Sequence, residues 1–284
     1  MANIIKGRTR DLDGFSVNRI LPNTQKKMVG PFIFLDHMGP ASFAPGNGID
    51  VRPHPHIGLS TLTYMLEGSL LHRDSLGNQL EILPGDVNWM TAGRGIVHSE
   101  RETIEVKARN HRLDGLQCWV ALPRDKAEIE PEFVHIKREQ LPHYMLDGVL
   151  MRLIAGTAFG LTSPIKTYSP MFYLDVLAKA GRDIQRPHPE QECMLYVIDG
   201  EVHVGDITYQ SGDILLLEDE ASVQAVTNCR CLLLGGERWD ETPHIDWNFV
   251  AFEQHRIEQA QNDWRAGRFP TIPGDDAEFV PLPE

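Results

Sequence analysis

The chain has 284 residues, and 27 basic against 40 acidic side chains give a formal net charge of −13, with 42% hydrophobic and 24% charged residues. These are globular proportions, which exclude a disordered chain, a collagen or a long coiled coil, and at roughly 100 to 200 residues per domain the length suits two domains that each bury a core. The negative charge repels phosphate backbones and anionic lipid, and neither a Lys/Arg cluster, a leader pattern nor a long apolar run stands out, so no direct nucleic-acid binding and no membrane span are expected and the protein is expected to be cytoplasmic.

In chain order, the first apolar block is Gly30-Pro31-Phe32-Ile33-Phe34-Leu35-Asp36-His37. Segments rich in Val, Ile, Leu, Thr and Tyr then recur: LSTLTYML from Leu59, QLEIL from Gln79, VNWM from Val87 and LQCWVAL from Leu116. The stretch from about 122 to 150 concentrates Pro, Glu, Lys and Asp and reads as the linker, with helical character in DKAEIEPEF and KREQL. Strand-like segments resume at MFYLDVLA from Met171, MLYVI from Met194, EVHVG from Glu201, DILLL from Asp213 and RCLLLGG from Arg230. FEQHRIEQAQNDWRAG from Phe252 reads as a helix that Gly267 stops. Short strands broken by Gly, Pro or Asp-Gly predict an antiparallel sandwich or barrel rather than alternating β and α units. Cys118, Cys193, Cys229 and Cys231 lack C-x-x-C spacing and mostly sit among apolar residues, so they read as reduced core thiols.

Compared with itself, the chain repeats. Pro55-His56 with Gly68 twelve residues later matches Pro187-His188 with Gly200 twelve later, at an offset of 132. Each copy continues into a Gly-Asp step before an apolar strand, Gly85-Asp86-Val87 and Gly212-Asp213-Ile214. A repeat of this size implies two similar β-domains. The expected division is 1–137 for a metal-binding domain and 138–284 for a second domain without the metal.

The expected metal follows from the histidines. His54 and His56 are two apart, so on a strand they share a face and can hold one ion. With 12 histidines in the chain, chance gives roughly half of one such pair, so the pair alone says little. A second pair, His98 and Glu100, follows Gly93-Arg94-Gly95-Ile96-Val97 and adds a third imidazole and a carboxylate. Three neutral imidazoles and one carboxylate suit a divalent first-row ion and leave two open positions on an octahedral one. In the second copy Arg186 stands where His54 does, His188 matches His56, and Ala225-Val226-Thr227 offers no histidine.

H-x-H followed by G-D and G-x-x-H resembles the cupin barrel, duplicated as in bicupins. Gly30 to His37, Arg52-Pro53-His54-Pro55-His56-Ile57-Gly58, Met90 through Gly95 to His98-Ser99-Glu100, and Gly115 to Val120 resemble more closely the pirin family, with similarity over nearly the whole chain including FVAFEQHRIEQAQNDWRAGRFP. The resemblance implies an all-β fold of two tandem cupin domains, double-stranded β-helix barrels, with a few short helices including one near the C-terminus. It implies one divalent ion on His54, His56, His98 and Glu100, Fe(II) first, with Mn, Ni, Cu, Co or Zn as other candidates, and an empty second barrel. The general cupin pattern has its glutamate four or five positions after H-x-H, where Ser60 and Thr61 stand here; the pirin pattern takes it from the later H-x-E.

The same resemblance implies either a quercetin 2,3-dioxygenase or a metal-dependent regulator that docks on a transcription factor or metabolic enzyme. In the first case Glu100 serves as ligand and base, and the partners are a flavonol-like aromatic substrate and dioxygen. His37, Trp89 and Met90 are the substrate-pocket candidates, each set against ordinary burial and packing. Gly93 and Gly95 read as a tight turn with positive φ, and Arg52 and Arg94 as anion-steering groups or ordinary ion-pair partners. Glu67 reads as a solvated turn residue. His72, His111, His135, His143, His203, His244 and His255 read as ordinary polar residues.

Overall fold

The computed structural model describes residues 2–12, 15–217 and 222–283. Its first strands are β1 (Ala2–Ile5), β2 (Arg8–Leu12), β3 (Phe15–Leu21), β4 (Phe32–Phe43), β5 (Asp50–His56), β6 (Leu59–Glu67), β7 (Leu70–Asp74), β8 (Gln79–Ile82), β9 (Val87–Thr91), β10 (Ile96–Arg101), β11 (His111–Ala121) and β12 (Glu132–Ile136). Two compact units emerge, each from discontinuous stretches. One comprises Arg10–Val17, Asp36–Arg138 and Glu241–Glu284; the other comprises Met1–Thr9, Asn18–Leu35 and Glu139–Asp240.

In the first unit, β12, β9, β6, β11 and β4 lie side by side in one sheet, and β5, β10, β7 and β8 form another. Alternation along a strand sends one set of side chains inward. In β7, Leu70, His72 and Asp74 are buried, while Leu71 and Arg73 between them are only partly so. Met38, Met65, Leu70, Ile82 and Leu113 pack together as part of the core between such faces.

The other unit repeats the plan. Met171–Ala178, Glu192–Asp199, Ile214–Leu217 and Cys229–Gly236 are neighbours in its larger sheet, and Asp183–Ile184, Glu201–Val204, Ile207–Gln210 and Val223–Ala225 form a four-stranded one. A large apolar cluster that includes Leu153, Phe172, Leu195, Val202, Leu215 and Leu233 fills it. The expected antiparallel barrels are therefore present in both units. All four cysteines are buried and unbridged.

The C-terminal helix, α2 (Gln254–Arg265), forms where its sequence places it, after a four-residue helix α1 (Ile104–Lys107) that the sequence does not announce. Thr103 caps α1 by accepting the Val106 N–H at 3.3 Å. Ile257 and Ala260, three apart, are the buried residues of α2, and Gly267 follows with φ 65°. That buried face joins Ile57, Phe249 and Ala251 in a small cluster against which Trp264, Phe269 and Leu282 pack.

The expectation of helix in DKAEIEPEF and KREQL is not met. Only one-turn 3-10 segments, Arg124–Lys126 and Arg138–Gln140, form there. Pro131 cannot donate within a helix and disfavours helical geometry in Glu130, and the residues after it pair with β9 as β12, Phe133 opposite Met90 and His135 opposite Asn88. Strand pairing outweighs the helical preference of Lys, Glu and Ala.

Candidate metal centre

Two paired strands bring the H-x-H and H-x-E motifs together. On β5 and β10, Ile96 lies opposite His56 and His98 opposite His54; the register then slips, so that Arg52 and Pro53 together face Ser99, and Glu100 lies opposite Val51. That slip is a β-bulge on an edge strand, a place where a proline is tolerated. The ring centroids of His54, His56 and His98 lie 4.3 to 5.0 Å apart. Their ligand atoms all lie within 4.8 Å of one another. His54 is 8% exposed, and His56 and His98 are each 1% exposed.

The ring protons are assigned by the partners. His54 Nδ1 donates to the Arg52 carbonyl at 2.9 Å, and His56 Nδ1 donates to the Asn248 carbonyl at 3.0 Å. A carbonyl only accepts, so each Nδ1 carries the proton and each Nε2 presents a lone pair. His56 Nε2 stands 3.1 Å from His98 Nε2, and the buried Nδ1 of His98 has no hydrogen-bond partner among the described residues. Burial, reinforced by the neighbouring imidazoles, pushes the pKa of His54 down to about 4 and those of His56 and His98 well below the usual value. Three neutral, converging nitrogens with an unsatisfied buried ring atom fit a first-row divalent ion.

Glu100, two residues after His98 and 6% exposed, accepts hydrogen bonds from Thr63 Oγ1 at 2.8 Å and Gln117 Nε2 at 3.3 Å. Burial raises its pKa against the opposing effects of His72 and the Thr63 hydroxyl. Strand register identifies what faces the motifs. Gln117, Thr63, Asn88 and His135 form one row across β11, β6, β9 and β12, and Trp119, Thr61, Met90 and Phe133 form the adjacent row on the same face. Trp119 meets the His56 ring edge to face at 5.1 Å.

Of the three pocket candidates, only Met90 lies on this face. Trp89 pairs across to Leu62 on the reverse side, where its indole N–H donates to Thr91 Oγ1 at 3.1 Å. His37 bonds Asp114 at 2.6 Å, while the next residue, Met38, packs with Met65 on the motif-facing side, so His37 faces the other way. One neighbour escapes the sequence reading. His72 is buried opposite Glu100, stacks on Phe133 at 4.4 Å, lies 5.5 Å from the His98 ring and bonds Asp74 at 3.1 Å. Its signal in the sequence is His72-Arg73-Asp74, a two-residue spacing like those of the two motifs, with a carboxylate in second place as in His98-Ser99-Glu100.

The remaining candidates behave as surface chemistry predicts. Arg94 pairs with Glu130 at 2.8 Å and Glu67 with Arg112 at 3.2 Å, all well exposed. Arg52 contributes its carbonyl to His54. Gly93 has φ 51°, and a Cβ there would sit 2.0 Å from the Ile129 carbonyl oxygen, so the expected positive-φ turn is present. In the other unit, the Arg186 guanidinium lies on the Gln191 and Leu217 carbonyls, and His188 Nε2 donates to the Thr157 carbonyl at 2.9 Å.

Comparison with known proteins agrees with this architecture. Residues 14–120 match the Pirin family, and residues 173–270 match the Pirin C-terminal cupin domain. A pirin-like protein of Caulobacter vibrioides is 45% identical over 286 residues, covering 99% of both chains. A pirin of Rattus norvegicus is 37% identical over 266 residues, covering 89% of this chain and 87% of that one. A crystal structure of quercetin 2,3-dioxygenase from Acinetobacter baumannii superposes with a TM-score of 0.91 at 34% identity, covering 100% of this chain and 95% of that one. With both cupin domains matched and a histidine triad held between paired strands, this chain is a member of the pirin family.

Proposed function

We propose that His54, His56 and His98, with Glu100 as fourth ligand, hold one divalent first-row ion, Fe(II) first, and that the chain is a dioxygenase that opens the heterocycle of flavonols such as quercetin. One dioxygen is consumed for each carbon monoxide released. The convergence of three buried, neutral imidazoles, two with Nδ1 already committed to a carbonyl, carries this reading. The likeness to the A. baumannii quercetin 2,3-dioxygenase supports the substrate class. The other unit, with Arg186 in place of His54, is proposed to hold no metal, and the protein to act in the cytoplasm.

A bound ion of this kind supplies a Lewis acid that lowers the pKa of a hydroxyl on it. The protein's own groups do the rest. The Arg52 and Asn248 carbonyls fix the orientation of His54 and His56. Thr63 and Gln117 hold the Glu100 carboxylate in place; it stands outside the group of mutually close ligand atoms that His54, His56 and His98 form, and the role proposed for it is to close on the ion and take up a substrate proton. Trp119, Met90 and Phe133, in one row with Thr61, give the facing sheet a largely apolar lining that suits an aromatic ring system.

The test is oxygen uptake with quercetin by protein stripped and reloaded anaerobically with ferrous iron, assayed for carbon monoxide beside a His56→Ala control. About one carbon monoxide per oxygen, lost in the control, is the expected result. Absence of uptake by fully loaded protein overturns the enzyme reading.

A second reading is favoured by the low exposure of the ligands, 8% for His54 and 1% for His56 and His98. A nearly closed site suits a redox sensor, in which the oxidation state of the ion alters a surface read by a transcription factor or metabolic enzyme. Binding of such a partner to one oxidation state only, with no flavonol turnover, distinguishes it.

A further inference from the structure

The bulge that separates His54 from Glu100 is gripped from outside by the C-terminal segment. Residues 268–283 form no helix or strand, yet they are tied at defined points. Val280 N–H donates to the Pro53 carbonyl at 2.8 Å, and the Val280 carbonyl accepts from Trp264 Nε1 of α2 at 3.0 Å. Across the bulge, Ser99 Oγ donates to Asp275 Oδ2 at 2.6 Å. Arg101 binds both oxygens of the same carboxylate, Nε at 3.0 Å and Nη2 at 2.9 Å, and also reaches Glu278 at 3.0 Å. Ile272 is buried, and Leu282 packs on the cluster built around Ile57 and Ile257.

The anchors on β5 and β10 lie next to the proposed metal ligands. Pro53 precedes His54, and the carbonyl of Arg52, the other bulge residue, is the one that orients the His54 ring. Ser99 stands between His98 and Glu100 and points to the opposite face of β10. A bulge leaves backbone groups without ladder partners and lets the strand bend, so its shape depends on whatever satisfies those groups. Here Val280 does so for the Pro53 carbonyl, while Asp275 holds the Ser99 and Arg101 side chains of the facing strand.

We infer that residues 270–283 form a strap that positions the metal ligands, with Asp275, acting through Ser99, as the positioning residue that holds His98 and Glu100 against the Arg52-Pro53 bulge. This rests on the proposed metal centre but not on the proposed reaction. The strap fixes ligand geometry from a distance: it touches neither ion nor substrate, and it sets how firmly and in what geometry the ion is held.

The test uses the full chain loaded with Co(II), comparing wild type with Asp275→Asn, Ser99→Ala, the double variant, and Asp276→Asn at an exposed neighbouring position as control. Expected are about one ion per chain in all five, a visible spectrum altered in Asp275→Asn and Ser99→Ala but not in Asp276→Asn, and release to a chelator about tenfold or more faster in Asp275→Asn. The double variant should release no faster than Asp275→Asn, because Ser99 acts on the ligands only through its bond to Asp275. Wild-type spectra and release rates in both single variants, even with a lowered melting temperature, overturn the proposal and leave the strap a plain tether. If Asp275→Asn does not fold, Ser99→Ala, which deletes one hydroxyl, decides by the same readouts. A wild type that takes up no cobalt overturns the metal centre itself, and the strap's role with it.

Discussion

His56 and His98 meet nitrogen to nitrogen, Nε2 to Nε2 at 3.1 Å, in a place where His56 has already put its proton on the far side of its ring for the Asn248 carbonyl. A lone pair held this close to a second imidazole, away from water, is stabilised by a cation between them. Metal should therefore raise stability as well as permit chemistry. At a free ion concentration 100 times Kd the gain is about 2.7 kcal/mol. For a unit of this size that corresponds to roughly 5–10 °C in its melting transition. Differential scanning fluorimetry of stripped protein titrated with ferrous or cobaltous ion should show the rise, and His56→Ala should abolish it. A melting temperature indifferent to saturating metal would count against the site.

The Glu100 carboxylate depends on two neutral donors, Thr63 and Gln117. Gln117→Leu removes one without touching an imidazole, and Glu100→Gln removes the charge while keeping the shape. Gln117→Leu should weaken metal binding by about 10–100-fold, as losses of outer partners of a ligand do. Glu100→Gln should weaken it at least as much and abolish turnover. Titration with a competing chelator reads the first effect and oxygen uptake the second. Normal metal affinity together with full turnover in Glu100→Gln would remove Glu100 from both proposed roles.

The strap carries a pH signature of its own. Burial opposes ionisation of Asp275, but hydrogen bonds from Arg101 and Ser99, with the positive charges of Arg101 and Arg73, outweigh it and hold the carboxyl below its usual pKa. A carboxyl depressed in the folded state contributes stability that is fully present above its unfolded pKa, about 3.9, and is lost as the pH falls through the folded value. The stability difference between wild type and Asp275→Asn should accordingly be level from pH 7 to about pH 5 and shrink below about pH 4. Urea unfolding at a series of pH values measures it. A difference that grows on acidification would contradict the assignment.

Part of the candidate site is legible in the sequence because its chemistry is local. A two-residue spacing on a strand fixes a common face, so His54 with His56 and His98 with Glu100 could be paired from sequence, and the repeat offset exposed the second barrel. Long-range register was not legible. Trp89 and Met90 are adjacent and equally apolar in context, and only the pairing of β9 with β6 shows that Met90 shares the Thr61 face while Trp89 turns away. The same holds for His72, since nothing local reveals that it lies opposite Glu100. In DKAEIEPEF composition favours helix, but a distant partner, β9, pairs with the chain after Pro131. The strap was invisible for a related reason: Asp275 and Ser99 are 176 residues apart, and irregular chain carries no periodic signal.

Gly93 offers the sharpest separation of backbone from side-chain effects at the site's edge. It has φ 51°, its carbonyl accepts the Gly58 N–H at 2.8 Å, and a Cβ there would lie 2.0 Å from the Ile129 carbonyl oxygen, a backbone atom that cannot swing aside. Left-handed geometry alone costs a residue with a Cβ roughly 1–2 kcal/mol, and the clash adds to it. Gly93→Ala should therefore destabilise by at least about 2 kcal/mol. Because this turn delivers the chain into Ile96 and on to His98, the substitution should weaken metal binding too. Arg94→Ala, next along the chain, removes only an exposed pair with Glu130 and should stay within about 0.5 kcal/mol with unchanged metal affinity. Urea unfolding and chelator competition on the two variants check this contrast. Equal effects from both would mean that Arg94, rather than the bend beneath it, is what the site requires of this loop.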